Sequence, residues 1–441
     1  MFENSRKGLS MKKVALHNLG CKVNAYEMEA MQQLLEENGY TIVPFEEKAD
    51  IYIVNTCTVT NMADRKSRQM LHRAKKRNPD AVIVAAGCYA QEKGNQADGC
   101  IDIIVGNNKK KDIAAILGQY EREKKEEVLD IRLDINHAHE YEELSLAHTA
   151  EHTRAYIKIQ DGCNQFCTYC IIPFARGRIR SRSQENVMGE VMRLAENGYK
   201  EVVLTGIHLS SYGMDFDGEK DCLLSLIMQI HEVRGIERIR LGSLEPRVIT
   251  EEFVKRLSAL EKVCPHFHLS LQSGCDTTLR RMNRRYSPEE YYEKCCLLRK
   301  YFKNPALTTD IIVGFPGETE EEFKQSKAFV DKVGFYETHV FKYSRREGTK
   351  AAAMDGQVPE EIKTKRSNEL LALNARKQEA FEKTFIGTVK EVLIEETEEC
   401  EDGIYGIGHT KEYVKIRQKL DKKQINQIIN VEIESHLQIM H

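Results

Sequence analysis

The sequence predicts an α/β multidomain protein: an N-terminal parallel α/β domain, a central incomplete (β/α)6 barrel and a small C-terminal β-barrel. Three observations carry this. Short apolar runs alternate with amphipathic stretches over residues 12–118, and the alternation lapses over a charged stretch, 119–153. It then restarts as six strand–helix units over 154–375, and apolar residues at every second position replace it over 376–441. A chain of 441 residues is also too long for one core, since domains run to roughly 100 to 200 residues.

Composition narrows the class. At 41% hydrophobic and 30% charged, with no biased tract, the chain is globular rather than disordered. No run approaches the roughly 18 apolar residues of a membrane span. The opening MFENSRKGLSMKK has no apolar stretch behind its basic residues, so no signal peptide and a cytoplasmic location are expected. A net charge of −3 gives no global attraction to nucleic acid, leaving any such binding to local patches. Thirteen cysteines in a reducing compartment point to metal binding or catalysis rather than disulfides.

In the first segment KVALHNLG, IYIVNTC, AVIVAAGC and IDIIVG read as strands, with helices over 26–38 and 63–77 between them. Residues 119–153 read as a linker with some local structure. From 155 the candidate strands are AYIKIQ, EVVLTG, RIRLGS, HFHLSLQ, LTTDIIVG and YETHVFKY, separated by five helical stretches. TVKEVLI, YVKIRQ and NVEIES supply the terminal β module.

Cys163, Cys167 and Cys170 form a CxxxCxxC loop directly after the first strand of the central domain. Three soft thiolates on one loop favour an Fe–S cluster, zinc or copper. A closed zinc site needs a fourth ligand, and neither histidine nor cysteine occurs in the thirty residues after Cys170. In the first domain Cys21, Cys57 and Cys88 each fall just beyond a strand, in LGC, NTC and AGC. The carboxyl ends of parallel strands share one edge, so these three are expected to converge. Cys100, Cys222, Cys264, Cys275, Cys295, Cys296 and Cys400 share no such position and read as structural.

The CxxxCxxC loop at a strand's carboxyl end resembles the radical S-adenosylmethionine (SAM) superfamily. That resemblance implies a [4Fe–4S] cluster on Cys163, Cys167 and Cys170 whose open iron takes the amino and carboxylate groups of SAM. Loops at the other strand ends would hold the cofactor, with Gly206, Ser243, Gln272, Ser273 and Gly314 as candidates. The superfamily's Gly-Gly-Glu after the second strand is replaced by Leu204-Thr205-Gly206-Ile207-His208.

The paired cysteine sets, Asn55-Thr56-Cys57 and the terminal β module together resemble the methylthiotransferase family over almost the whole chain. The family implies a second [4Fe–4S] cluster on Cys21, Cys57 and Cys88 that carries the sulfur to be delivered, and a TRAM-like RNA-binding terminal module. It also implies an external electron donor such as a flavodoxin or ferredoxin, and a sulfur source. LGCKVNAYE, NTCTVTNMADRKSRQ, GCYAQ, QDGCNQFCTYCIIPFARGRIRSR and LTGIHLSSYG resemble the branch that converts N6-threonylcarbamoyladenosine at tRNA position 37 to its 2-methylthio form. Alternatives are isopentenyladenosine in tRNA or a ribosomal protein as substrate, or a non-catalytic metal-containing RNA-binding protein.

Basic residues mark where the anticodon loop of tRNA would be met. Arg65, Lys66, Arg68, Arg73, Lys75, Lys76 and Arg77 crowd one helix. Arg176, Arg178, Arg180 and Arg182 alternate after the barrel cysteines, as on one face of an extended segment. Arg280, Arg281, Arg284 and Arg285 form a third group, and Lys411, Lys415, Arg417, Lys419, Lys422 and Lys423 lie in the terminal module behind a run of acidic residues.

Overall fold

The computed structural model describes residues 12–94, 98–123, 127–146, 153–218 and 221–440. Residues 1–11, most of the opening stretch on which the signal-peptide expectation rests, lie outside them. The chain divides into two compact units. The first runs to Leu146 and includes Gly162–Asn164 and Ile171–Arg180; the second holds the remainder.

In the first unit β1 (Lys13–Asn18), α1 (Lys22–Glu37), β2 (Thr41–Val43), β3 (Ile51–Thr56), α2 (Asn61–Arg77), β4 (Val82–Gly87), α3 (Cys88–Lys93), β5 (Ile103–Val105), α4 (Ile113–Glu123) and β6 (Leu129–Asp130) follow in order. The sheet is parallel, ordered β2-β1-β3-β4-β5-β6. Central strand β3 is buried along its whole length, which is why Ile51-Tyr52-Ile53-Val54 reads as an apolar run without alternation. Ile51 and Ile53 join the core formed with Met31 and Leu35 of α1 and Ile113 of α4, while Tyr52 and Val54 join Leu71 and Ala74 of α2 on the other face. The stretch 119–153 read as a linker contributes the end of α4 and the edge strand β6.

In the second unit β7 (Arg154–Asp161) leads into a series in which α5 (Ile172–Arg176) belongs to the first unit. Then come β8 (Arg180–Ser181), α6 (Gln184–Glu196), β9 (Glu201–Gly206), α7 (Cys222–His231), β10 (Arg238–Leu241), α8 (Glu251–Ser258) and β11 (His266–His268). After them come α9 (Asp276–Arg281), α10 (Pro288–Tyr301), β12 (Ala306–Val313), α11 (Glu320–Val333) and β13 (Glu337–Lys342). Strands β7, β9 and β10 pair in parallel, as do β11, β12 and β13. Parallel bridges Ile239 to Val263 and Leu244 to Leu269 link the two sets. Six strands in sequential order, with one apolar core between strands and helices, make the expected incomplete barrel.

Alternation along the strands sorts the barrel's side chains. Leu307, Ile311 and Val313 of β12 enter the helix-facing core, so Thr308 and Asp310 belong to the opposite, interior face.

Helix α12 (Glu360–Lys383) precedes β14 (Thr388–Cys400), β15 (Gly403–Thr410), β16 (Lys415–Leu420) and β17 (Ile428–Ile433). These pair antiparallel in the order β16-β15-β14-β17, with a bulge between Ile394 and Glu396. The β module thus begins at Thr388 rather than near Arg376, because strong helix formers continue α12 until its end.

The terminal sheet docks on the amino-terminal end of the barrel. Its core residues Val392, Ile394, Val431 and Ile433 cluster with Ala306 and Tyr336, at the starts of β12 and β13. Arg238 donates to the carbonyls of His409 (2.8 Å) and Glu391 (2.9 Å), and Arg240 to that of Lys411 (3.0 Å). Arg240 also pairs with Glu201 at 2.7 Å and lies 4.6 Å over the Tyr413 ring. Among the described residues no helix is long and apolar enough to cross a membrane.

Candidate functional site

In the first unit the three cysteines stand where the strand order places them. Cys21 follows β1, Cys57 follows β3 and Cys88 opens α3 after β4. These are three adjacent strands, and β1 and β3 flank the point where the winding reverses, the usual ligand position in open α/β sheets.

Local polar bonds tie the strand ends together. Asn55 donates to the Asn24 carbonyl (2.9 Å), and Asn24 donates to the carbonyls of Leu19 (2.7 Å) and Thr56 (3.1 Å). Thr56 Oγ1 donates to the Ala86 carbonyl and accepts from the Ala90 amide. Ser67 of α2 bonds both backbone groups of Cys57. The glycines of LGC and AGC have φ of +106° at Gly20 and +89° at Gly87, a region that side chains disfavour.

The thiols share one environment. Burial pushes the Cys57 thiol up to about 11, with Cys88 and Cys21 adding to the rise and Arg176 opposing it. Arg176 donates from Nε to Cys88 Sγ at 3.2 Å. Its terminal nitrogens meet Glu27 at 2.8 and 3.0 Å and Asn24 Oδ1 at 2.6 Å. Lys110 Nζ reaches the same Glu27 carboxylate at 2.6 Å and Asn107 Oδ1 at 2.7 Å. Glu27, Asn107, Lys110 and Arg176 are all fully buried. Besides one another, the thiols feel Arg176, which donates but cannot ligate, the backbone amides of Asn24 and Val59, and the Glu27 carboxylate, whose oxygens Arg176 and Lys110 already occupy. Three thiol donors without a fourth fit a cluster that keeps one iron open better than a closed zinc site.

Of the CxxxCxxC residues, Cys163 falls in the first unit and Cys167 and Cys170 in the second. Cys163, in the first, donates its amide to the Gly177 carbonyl at 3.0 Å. In the second, the Cys170 amide donates to the Cys167 carbonyl, Thr168 exchanges bonds with Met282 and Ala351, and Asn283 donates to the Phe166 carbonyl. Arg284 donates to Cys167 Sγ at 3.3 Å and lies 4.9 Å over the Tyr286 ring. Arg176 thus donates to a sulfur of the first set and Arg284 to one of the second.

The five candidate SAM residues all lie at carboxyl ends of barrel strands. A Cβ on Gly206 would stand 2.9 Å from Gln160 Oε1, and one on Gly314 would overlap Lys363 Cγ, so packing alone accounts for both glycines. Ser273 is buried and its hydroxyl accepts from the Cys275 amide, a turn role. Gln272 has φ +73° and bonds through its backbone to β12. Ser243 is exposed and bonded to Ser270 Oγ at 2.8 Å.

Sequence reasoning passed over His208, from the segment that replaces Gly-Gly-Glu. Its amide donates to Gln160 Oε1 (2.7 Å), Nδ1 bonds Ser211 Oγ (2.6 Å), and Nε2 is buried without a hydrogen-bond partner. Burial lowers its pKa to about 4, so the ring is neutral at physiological pH.

The arginine series after the barrel cysteines does not form a solvent-facing row. Arg176, Arg180 and Arg182 are buried, Arg182 against Glu190, and only Arg178 is exposed. Of the third group Arg281 pairs with Glu322 and Arg284 serves Cys167; Arg280 and Arg285 are exposed, Arg280 paired with Asp276 at 2.7 Å. In the terminal module Lys415, Arg417, Lys419 and Lys423 pair with Glu396, Glu398, Asp402 and Glu399. The α2 residues Arg65, Lys66, Arg68, Arg73 and Lys76 are exposed.

Residues 157–330 match the model of the Radical SAM superfamily, and residues 13–106 match that of the uncharacterized protein family UPF0004. Threonylcarbamoyladenosine tRNA methylthiotransferase MtaB of Bacillus subtilis (strain 168) is 42% identical over 96% of this chain and 94% of its own. A tRNA-2-methylthio-N(6)-dimethylallyladenosine synthase of Finegoldia magna is 36% identical over 94% of this chain and 90% of its own. Among solved structures, the radical SAM methyltransferase TsrM of Kitasatospora setae superposes with a TM-score of 0.56 at 16% identity, covering 78% of this chain and 77% of that one, a likeness of fold. With identity running through nearly the full length of both chains, this protein belongs to the radical SAM tRNA methylthiotransferase family of which MtaB is a member.

Proposed function

We propose that the protein adds a methylthio group to C2 of N6-threonylcarbamoyladenosine at position 37 of tRNA. The observation that carries this reading is the gathering of Cys21, Cys57 and Cys88 at the switch point of one unit, in a chain that also bears Cys163, Cys167 and Cys170 on the loop after β7. Two [4Fe–4S] clusters and SAM, when bound, supply a 5′-deoxyadenosyl radical for an unactivated C–H bond and the sulfur that replaces the hydrogen.

The chain's own residues bind and orient. Each cysteine set contributes three thiolates, and metal must displace the proton that burial holds on Cys57. Arg284 supports Cys167, with Tyr286 beneath its guanidinium. Gly206, Ser243, Gln272, Ser273 and Gly314 border the proposed SAM site, and His208 offers it a neutral imidazole nitrogen. The exposed cations of α2, which begins just after Cys57, neutralise tRNA phosphates. The terminal sheet acts as a TRAM-like module that positions tRNA, its paired charges giving it little phosphate affinity of its own. A flavodoxin or ferredoxin supplies electrons, a separate donor replenishes sulfur, and the cytoplasm is the setting.

Nucleoside mass spectrometry of tRNA from cells lacking the gene, against complemented cells, tests this. Loss and recovery of 2-methylthio-threonylcarbamoyladenosine is expected. An unchanged level of that nucleoside, with loss of the isopentenyl counterpart, overturns the substrate assignment.

A further inference from the structure

We propose that Arg176 is the positioning residue that sets the reduction potential and retention of the cluster on Cys21, Cys57 and Cys88, acting through a buried Arg176–Glu27–Lys110 triad. The assignment rests on the functional reading above, which makes those cysteines ligands. Arg176 follows Cys170 by six residues in the chain, yet its side chain serves the other cysteine set. Its Nε lies 3.2 Å from Cys88 Sγ, and its charge acts on the thiols of both Cys21 and Cys57.

A guanidinium with no solvent exposure is tolerable only beside an anion. Glu27 supplies it through two bonds, at 2.8 and 3.0 Å. Lys110, 2.6 Å from the same carboxylate, makes the cations of the triad outnumber its anion two to one. Asn107 fastens the assembly, accepting from Lys110 and donating to the Ala175 carbonyl at 2.7 Å. An oxidised [4Fe–4S] core on three thiolates bears net negative charge, and reduction adds another electron. Nearby positive charge and an N–H bond to a ligand sulfur both favour the reduced state and the bound core.

The test uses the full-length chain with Cys163, Cys167 and Cys170 replaced by Ala, so that one cluster remains, reconstituted anaerobically and titrated potentiometrically by EPR. Arg176→Met is expected to shift the midpoint negative and to speed iron loss to a chelator ~10- to 100-fold. Lys110→Met, which touches no cysteine, shifts it negative as well, whereas Glu27→Gln shifts it positive. Arg176→Lys restores part of the potential. A merely structural role would loosen the cluster in every variant without reversing the sign. An unchanged midpoint in Arg176→Met with iron retained, or shifts of one sign in all variants, overturns the proposal. If Arg176→Met does not fold, the opposed signs of Lys110→Met and Glu27→Gln decide. A background protein that holds no cluster overturns the ligand assignment itself, a failure distinct from an unshifted potential.

Discussion

Gly20 packs directly on Cys57: a Cβ at Gly20 would stand 3.0 Å from both Cβ and Sγ of that cysteine, and 3.2 Å from Asn24 Nδ2. With φ at +106° the position is closed to side chains twice over, by backbone strain and by the Cys57 sulfur beside it. Strain of this kind costs on the order of 1–3 kcal/mol. Gly20→Ala is therefore expected to lower iron and sulfide by nearly one cluster per chain while the barrel cluster survives. Anaerobic iron and sulfide analysis reads this, and full loading of the variant would show that the close approach is not needed.

The proposed function gives the two cysteine sets separable roles. Cys170→Ala is expected to abolish 5′-deoxyadenosine formation, whereas Cys57→Ala retains some of it but delivers no sulfur. Chromatography of the cleavage product, alongside mass spectrometry of the tRNA, distinguishes them. Identical behaviour of the two variants would remove the division of labour.

His208 makes stability depend on pH. Its folded pKa, about 4, lies below the ordinary imidazole value of 6.5, because burial disfavours the charged ring. The unfolded state then binds more protons between these values, so the contribution is intact above pH 6.5 and is lost as pH falls towards 4. The full loss is about 3 kcal/mol. His208→Gln should flatten this part of the profile in urea titrations across that range, and a parallel profile would contradict the assignment.

Docking of the terminal sheet depends on Arg240. Removing it leaves Glu201, paired at 2.7 Å and buried, with only Arg238 at 3.8 Å. Arg240→Met should destabilise the chain by about 3–5 kcal/mol, the usual cost of orphaning one member of a buried pair. Adding Glu201→Gln should recover part of it. Denaturant midpoints of the single and double variants measure the difference, and additive losses would argue against the pairing.

Arg65, Lys66 and Arg68 of α2 are exposed, and tRNA affinity should reflect them. If each neutralises one phosphate, replacing all three with Gln reduces the slope of log affinity against log salt by about 2 to 3. Filter binding at several salt concentrations reads the slope. An unaltered slope would move the phosphate contacts elsewhere.

Much of this protein is written in local pattern. Strand β3 is recognisable from its apolar Ile51-Tyr52-Ile53-Val54, as a strand buried on both faces requires, and the cysteines of LGC, NTC and AGC are legible because each follows a strand. The six barrel strands follow from the same alternation. Charge is less legible, because spacing does not say whether a cation meets water, phosphate or a carboxylate. Arg176, Arg180 and Arg182 read as a nucleic-acid face and are buried. In the terminal module the sequence shows a basic group behind an acidic run, but not which members meet: Arg417 pairs with Glu398 and Lys415 with Glu396.

The sequence by itself determined the element order, the two cysteine sets and the chemistry their thiolates imply, because these depend on residue type and short-range spacing. Only the tertiary structure decided which buried charges meet. Glu27 and Lys110 are 83 positions apart, and Arg176 is 149 from Glu27. Burial makes their pairing obligatory, since a charge removed from water must find its opposite, but only the packing of distant elements determines which one it finds.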